Sequence, residues 1–160
     1  QLLIQLAKWK ELEALLDDPN LVFESVAEII LQSDIECPLP IHHIILKTLA
    51  EREEKDIGRF AVLFRGLCAC ALMIDERDTC YFEEACKLIK ASFGEYPVEE
   101  VAWLCNQAHS QALHQFTHSR DTKMATKWIE LAMSLLYMLP SGNPHRTALT
   151  ESIQDLYGRL

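Results

Sequence analysis

The chain has little glycine and none of the short motifs that mark common enzyme sites. Only 5 of its 160 residues are glycine, and it contains no phosphate-binding glycine loop, no G-x-S-x-G turn and no H-E-x-x-H metal motif. Adjacent glutamates at 53–54, 83–84 and 99–100 are the remaining candidates for acid–base chemistry. Each pair lies near a predicted helix end, where carboxylates are normally solvated, so we assign them no such role. The sequence predicts no enzyme, no catalytic residue, no cofactor and no small-molecule substrate.

Basic residues are also scarce. The chain has 15 lysines and arginines against 24 aspartates and glutamates, which gives a formal net charge of −9. Most of the acidic excess lies in residues 1–80. A surface of this sign repels a phosphate backbone, so we expect no direct binding to nucleic acid.

No apolar run is long enough to cross a bilayer. The longest covers residues 66–74, whereas a spanning helix needs about 20 apolar residues. We therefore predict a core helix here and no membrane contact. The chain also lacks serine- and glycine-rich tracts and blocks of like charge, so its composition gives no reason to expect a flexible linker.

Cysteines are spread through segments with helical periodicity, at positions 37, 68, 70, 80, 86 and 105. A long helical chain does not need a disulfide framework, so the pattern favours a reducing compartment, the cytosol or the nucleus. The cysteines do not have the spacing of a zinc site. His114 and His118 are four residues apart and could meet on one helix face, with His109 nearby, but a structural zinc site needs four converging ligands, so we expect no metal. Cys68 and Cys105 lie on apolar stripes and are expected in the core.

Helical periodicity accounts for nearly the whole chain, and no segment has the alternation and turn chemistry of a β-hairpin. The sequence therefore predicts an all-α protein, with helices at about 1–17, 20–32, 40–53, 56–73, 79–92, 97–118, 121–139 and 143–160. The fourth of these is apolar around nearly its whole circumference, which predicts a helix buried on all sides. Because the chain starts with Gln1 inside a helical pattern, we expect residues 1–160 to be a single helical segment of a longer protein.

Two stretches about 40 residues apart repeat one pattern, in which a small residue is followed by a large apolar residue and a second small residue at helical spacing. The residues concerned are Ala85, Ile89 and Ser92 in the first stretch and Ala125, Ile129 and Ala132 in the second. Such a face lets a neighbouring helix approach closely and is typical of the second helix of a tetratricopeptide-like hairpin. The sequence thus predicts hairpin repeats stacked into a short α-solenoid, an architecture that generally binds other proteins.

Two tryptophans are candidate partner contacts. Trp103 lies opposite the main apolar stripe of its predicted helix, beside Asn106, so it either packs on the next repeat or offers an aromatic anchor to a partner. Trp9 lies near the start of the chain and has the same two interpretations. Trp128 shares a stripe with Ile129 and is expected in the core.

Residues 36–136 contain a succession of segments that resembles a known family. The segments are ECPLPIHHIILKTL, RFAVLFRGLC, YPVEEVAWLCNQAHSQAL and a Trp-x3-Ala block at 128–132. The most specific part is Tyr96-Pro97, followed by acidic residues and then by Trp103-Leu104. Together they resemble the C-terminal region of the meiosis-specific tetratricopeptide scaffold family of the ZMM group, of the Zip-four or Spo-twenty-two type.

This resemblance implies a non-catalytic scaffold in the nucleus, associated with meiotic chromosomes. Its partners would be other proteins of the synapsis initiation complex, which connects the crossover-promoting machinery to the synaptonemal complex. One alternative is a general tetratricopeptide adaptor, such as a chaperone cofactor or trafficking subunit. A carboxylate-clamp adaptor would need converging cations, and the candidates are Lys123 and Lys127 with Arg59 or Arg65. The other alternative is an enzyme that uses the thiols or the histidines.

Overall fold

The computed structural model describes residues 56–92 and 94–160, together with His43, Leu46 and Lys47. Within these residues it contains helices and no strand, so the all-α prediction is confirmed. The helices predicted at 1–17 and 20–32, most of the one at 40–53, and Trp9 lie outside the described residues.

The helices of the described part are α1 (Ile57–Ile74), α2 (Cys80–Ala91), α3 (Val98–His114), α4 (Thr122–Met138) and α5 (Pro144–Arg159). Their ends agree with the sequence-based bounds, with one difference. The helix predicted to reach residue 118 ends as an α-helix at His114 and continues as a π-helical turn, Gln115–Ser119. Arg120 then adopts a left-handed conformation with φ of 53° and ends the turn.

Side-chain caps fix the starts of three helices. Asp56 accepts a hydrogen bond from the Arg59 amide at 3.1 Å, and Asp121 accepts one from the Met124 amide at 3.0 Å. Asn143 caps α5 in the same way, immediately before the proline that starts that helix. Each cap satisfies an amide that has no partner within its helix, which explains why the capping residues Asp56 and Asp121 predicted the starts of α1 and α4 correctly.

The helices pack in two rows. α1, α3 and α5 contact one another in order along the first row, which we call the odd row. α2 and α4 contact each other in the second, the even row, and successive helices also contact across the rows. The most extensive contact is between α3 and α4. On α5, the polar side chains of Thr147, Glu151 and Asp155 are exposed.

Small side chains line the contact between α3 and α4. Cys105, Ala108 and Ala112 of α3 are fully buried, as are Ala125 and Ala132 of α4. Their size lets the two backbones approach closely, and the Cys105 thiol reaches the carbonyl oxygen of Ala132 at 3.3 Å. The predicted core position of Cys105 is confirmed.

Trp128 is the largest fully buried side chain in the described part of the chain. Its ring stands edge-on to Phe82 of α2, with 5.0 Å between the ring centroids and 84° between the planes. This contact holds the two helices of the even row together, and edge-to-face geometry is a favoured arrangement for aromatic pairs. The prediction that Trp128 belongs to the core is confirmed.

The prediction that α1 is buried on all sides is wrong. Ala61, Phe64 and Cys68 are buried on one side, which places Cys68 in the core as predicted. On other sides of the helix, however, the side chains of Val62 and Met73 are 52 % and 71 % exposed. α1 is an outer member of the described odd row, and its composition alone could not show this.

By length and composition, α1 is the one helix within the described residues that could cross a membrane. A core helix of a globular protein meets the same criteria. Here α1 contributes Phe64, Leu67 and Cys68 to the same apolar core as α3 and α4. α1 therefore packs on this core along one side.

Candidate protein-interaction surface

Apolar side chains are exposed on α1 and α3, the first two helices of the odd row. Val62 and Met73 of α1 and Leu113 of α3 are large, apolar and at least 40 % exposed. On α3, Leu113 shares a side with the exposed polar residues Asn106 and Ser110, opposite the buried stripe of the helix. We call the exposed sides of α1 and α3 together the odd face and treat it as a candidate contact surface; isolated exposed apolar residues are common, whereas a contiguous apolar patch marks an interaction site.

Trp103 lies on α3 next to the odd face and is half-buried. Its ring packs against the apolar core, and the guanidinium carbon of Arg65 lies 5.7 Å from the ring centroid. This is the distance of a cation–π contact, which joins α1 to α3. Trp103 therefore packs on the core and on α1, the preceding helix of its row, rather than on the next repeat, and its role as an aromatic anchor for a partner stays a prediction.

Arg65 also forms an ion pair with Glu100, with 3.2 Å between Nη1 and Oε1. Glu100 is only 7 % exposed, so the prediction of a solvated carboxylate is wrong for this residue. Its second oxygen, Oε2, has no hydrogen-bond partner. Burial raises the pKa of the Glu100 carboxyl, and the Arg65 charge opposes this effect less strongly. No local motif could reveal this pair, because its members lie on different helices.

Glu100→Gln is expected to change how stability depends on pH. Because folding raises the pKa of Glu100, the folded protein keeps this proton at pH values where the unfolded chain has lost it. The carboxyl's contribution to the free energy of unfolding therefore falls as the pH rises from about 4 through the folded-state pKa. Wild type should lose stability relative to Glu100→Gln over this range, as measured by urea denaturation between about pH 4 and pH 7.

The control for this prediction is Glu151→Gln, which makes the same chemical change at an exposed position of α5. Its stability should follow the wild-type pH curve. Parallel curves for wild type and Glu100→Gln would show that burial of Glu100 has no effect on its protonation.

A cleft of about 670 Å³ separates α3 from α5 beside Trp103. Its lining residues are Glu99, Ala102, Trp103, Asn106, His109, Asn143, Pro144, His145, Ala148, Leu149 and Ser152. The two walls are joined where the Ser152 hydroxyl and His109 Nε2 lie 3.1 Å apart. Burial lowers the pKa of His109, which favours a neutral imidazole at pH 7. The cleft thus extends the odd face towards α5 with uncharged polar groups such as Asn106 and Ser152, and it has the Glu99 carboxylate in its lining.

The cations required by a carboxylate-clamp adaptor do not converge. Lys127 pairs with Glu83 in the even row, with 2.8 Å between Nζ and Oε1. Arg65 pairs with Glu100 in the odd row. Two of the four candidate cations therefore neutralise carboxylates of this chain and lie on different rows, which gives no support to a clamp.

The described thiols do not have the environment of activated nucleophiles. Burial raises the pKa of Cys68, Cys70 and Cys86, and it raises that of Cys105 to about 12. Cys80 is exposed, but the hydrogen bond from its side chain to the Asp78 carboxylate also raises the pKa of this thiol. A reactive thiol needs the opposite shift, so these residues give no support to the thiol-enzyme alternative.

His114 and His118, which the sequence allowed to meet on one helix face, do come together. The rings of His114 and His118 stack with 4.8 Å between their centroids, and His114 Nδ1 lies 3.6 Å from Oε2 of Glu76. No group of three or more possible ligands that could hold a metal ion is present among the described residues. The arrangement instead ties the loop after α1 to the end of α3, and a 2.8 Å ion pair between Arg77 and Asp121 ties the same loop to the start of α4.

In comparisons with protein-family models, curated proteins and solved structures, the chain gives no match. The interpretation of the odd face therefore depends on its own residues, and the resemblance described from the sequence stays a prediction.

Proposed function

We propose that the chain is a non-catalytic, tetratricopeptide-like scaffold segment that binds other proteins. The support is the repetition of one unit: α1 with α2, and α3 with α4, form successive helical hairpins about 40 residues apart, arranged in two rows. In both even-row helices a small residue, Ala85 or Ala125, is fully buried, followed by buried Ile89 or Ile129. This is the packing that stacked hairpins require.

The observation that carries the proposed binding role is the odd face. Exposed Val62 and Met73 lie on α1 and exposed Leu113 on α3, and the contact of Arg65 with Trp103 joins these two helices. Tryptophan is a residue type that often contributes most to binding energy. The adjacent cleft adds uncharged polar groups that can form hydrogen bonds with a partner. An apolar patch with a polar border is the usual composition of a protein–protein interface.

The proposed setting is a meiotic, nuclear assembly on chromosomes, with partners from the crossover-promoting and synaptonemal complexes. It is motivated by the resemblance of the segments between residues 36 and 136 to the ZMM-group scaffold. The negative net charge fits recruitment through proteins, because a chain of this sign does not attract nucleic acid. A general chaperone or trafficking adaptor is the competing assignment within the same physical class.

Leu113→Glu is expected to weaken partner capture at least about tenfold, because it places a charge in the apolar part of the odd face. The measurement is a pull-down from meiotic cell extract, followed by mass spectrometry of the retained proteins. The matched control is Tyr137→Glu, which makes the same kind of change at an exposed site of α4 in the even row. Capture that is lost with Tyr137→Glu but kept with Leu113→Glu would place the partner on the other row.

The identity of the captured proteins decides the setting. Meiotic chromosome proteins support the ZMM-type assignment, whereas chaperones or coat subunits support the general adaptor. Trp103→Ala should also reduce capture, and circular dichroism must show that this variant keeps its helix content, because Trp103 packs on the core. Trp9→Ala tests the second predicted anchor, which lies outside the described residues.

A further inference from the structure

The cleft between α3 and α5, which we call the α3–α5 cleft, has both a carboxylate and an indole in its lining. Its volume of about 670 Å³ is within the range of about 300–1,000 Å³ that is typical of ligand sites. Glu99 and Trp103 line the cleft and are four residues apart on α3. Residues at this spacing are neighbours on a helix surface, so one side chain of a partner can contact both groups.

Glu99 is the uncompensated charge of the α3–α5 cleft. Its exposed side chain takes part in no ion pair among the described residues. The neighbouring carboxylate, Glu100, is paired with Arg65, and the cleft lining contains no lysine or arginine. Burial lowers the pKa of His109, so this imidazole adds little positive charge at pH 7. The cleft is therefore complementary to a cation.

The Trp103 ring already interacts with one cation. The guanidinium carbon of Arg65, which comes from α1, lies 5.7 Å from the ring centroid. The α3–α5 cleft borders the same indole between two other elements. Aromatic faces attract cations, and carboxylates form strong hydrogen bonds with guanidinium and ammonium groups. An indole beside an unpaired carboxylate therefore favours a basic side chain over a neutral one.

The rest of the lining favours a peptide over an isolated ion. Ala102, Ala148 and Leu149 are apolar, whereas Asn106 and Ser152 carry hydrogen-bonding groups. The apolar residues can hold side chains next to the basic one, and the amide and hydroxyl groups can pair with a peptide backbone. The net charge of −9 also attracts a basic partner at longer range.

We propose that the α3–α5 cleft binds an extended, basic segment of a partner protein, with an arginine or lysine side chain in contact with both the Glu99 carboxylate and the Trp103 indole. This inference rests on the proposed scaffold role and adds the chemistry of the partner to it. The apolar residues of the lining hold the side chains on either side of the basic residue.

The test compares three short peptides that differ only at the central position. The probes are acetyl-Ser-Leu-Ala-X-Ala-Leu-Ser-amide, in which X is arginine, citrulline or glutamate. Citrulline has nearly the shape of arginine without its charge, and the two leucines lie on the same side of an extended chain as X. Binding to the 160-residue chain is followed by ¹H–¹⁵N NMR titration, with the Trp103 indole signal as the local reporter.

We expect wild type to bind the arginine peptide about fivefold more tightly than the citrulline peptide at low ionic strength, because only arginine gains the ion pair and the cation–π contact. The glutamate peptide should bind most weakly. The preference for arginine should fall in about 1 M salt, which screens exposed charges. The Trp103 indole signal should shift as the arginine peptide binds.

Two variants locate the effect. Glu99→Gln should reduce the arginine preference to less than about twofold, because the ion pair is lost. Glu130→Gln makes the same change at an exposed position of α4 in the even row and should keep the full preference. The proposal is overturned if wild type binds none of the peptides, if glutamate binds as tightly as arginine, if the Trp103 signal does not shift, or if Glu99→Gln keeps the preference.

This experiment and the test of the scaffold role fail separately. If Leu113→Glu abolishes partner capture while Glu99→Gln keeps the arginine preference, the scaffold function stands and the basic segment is excluded. If the preference depends on Glu99 but Leu113→Glu captures partners as wild type does, the cleft binds a basic segment and the role of the apolar part of the odd face is wrong.

Discussion

Replacing Trp128 with alanine is expected to lower the free energy of unfolding by about 3–5 kcal/mol, the largest effect of any single substitution considered for this chain. The side chain is fully buried and meets Phe82 of α2 edge to face. Its removal leaves a cavity between the two helices of the even row, where the neighbouring side chains can collapse only partly. Urea denaturation followed by far-ultraviolet circular dichroism measures the loss.

Trp128→Phe is the informative companion to this substitution. The indole Nε1 of Trp128 is buried without a hydrogen-bond partner, so phenylalanine removes an unsatisfied donor while it keeps an aromatic ring against Phe82. Its cost should be clearly smaller than that of alanine. Tyr137→Ala, at a 70 % exposed site of the same helix, should change stability by no more than about 0.5 kcal/mol. Equal losses for Trp128→Ala and Tyr137→Ala would contradict the packing of α2 on α4.

The second large effect is expected from Ala132→Leu. Ala132 is fully buried, and its carbonyl oxygen accepts the 3.3 Å contact from the Cys105 thiol across the α3–α4 interface. A leucine side chain has no space there unless the two helices move apart. Overpacking of this kind typically costs about 1–3 kcal/mol, and thermal and urea denaturation both detect such a loss.

Ala148→Leu is the matched control for the overpacking experiment, because it makes the same change at an exposed position of α5. It should leave stability nearly unchanged, since alanine and leucine have similar helix propensities. If Ala132→Leu were as stable as this control, the close approach of α3 and α4 would not depend on small side chains. The repeat interpretation would then lose its physical basis.

Local sequence patterns predicted most of the described helix bounds correctly. Asp56 and Asp121 indicated helix starts because a capping side chain satisfies amides only a few residues away, and the helix-breaking residues 140–144 indicated the start of α5. The burial of Trp128 and Ala132 was predicted from helical periodicity. This signal is also local, because residues three or four positions apart form the apolar stripe of a helix. The π-helical turn after His114 had no such signal, and the sequence-based helix therefore ran too far.

The candidate site was predicted only in part. Trp103 stood out because it lies opposite its apolar stripe, but the cation that covers its ring comes from another helix. The α3–α5 cleft had no sequence signal, because it combines residues from separate helices. Periodicity reports which side of one helix is apolar and does not report which neighbour covers that side.

The sequence by itself determined that the described chain is helical, where most of its helices begin and end, and which small residues allow two helices to pack closely. Only the tertiary structure decided that Glu100 is buried against Arg65 and that α1, although apolar, exposes Val62 and Met73. The physical reason is the range of the interactions. Capping and periodicity act within a few residues, whereas burial and ion pairing depend on the arrangement of whole helices.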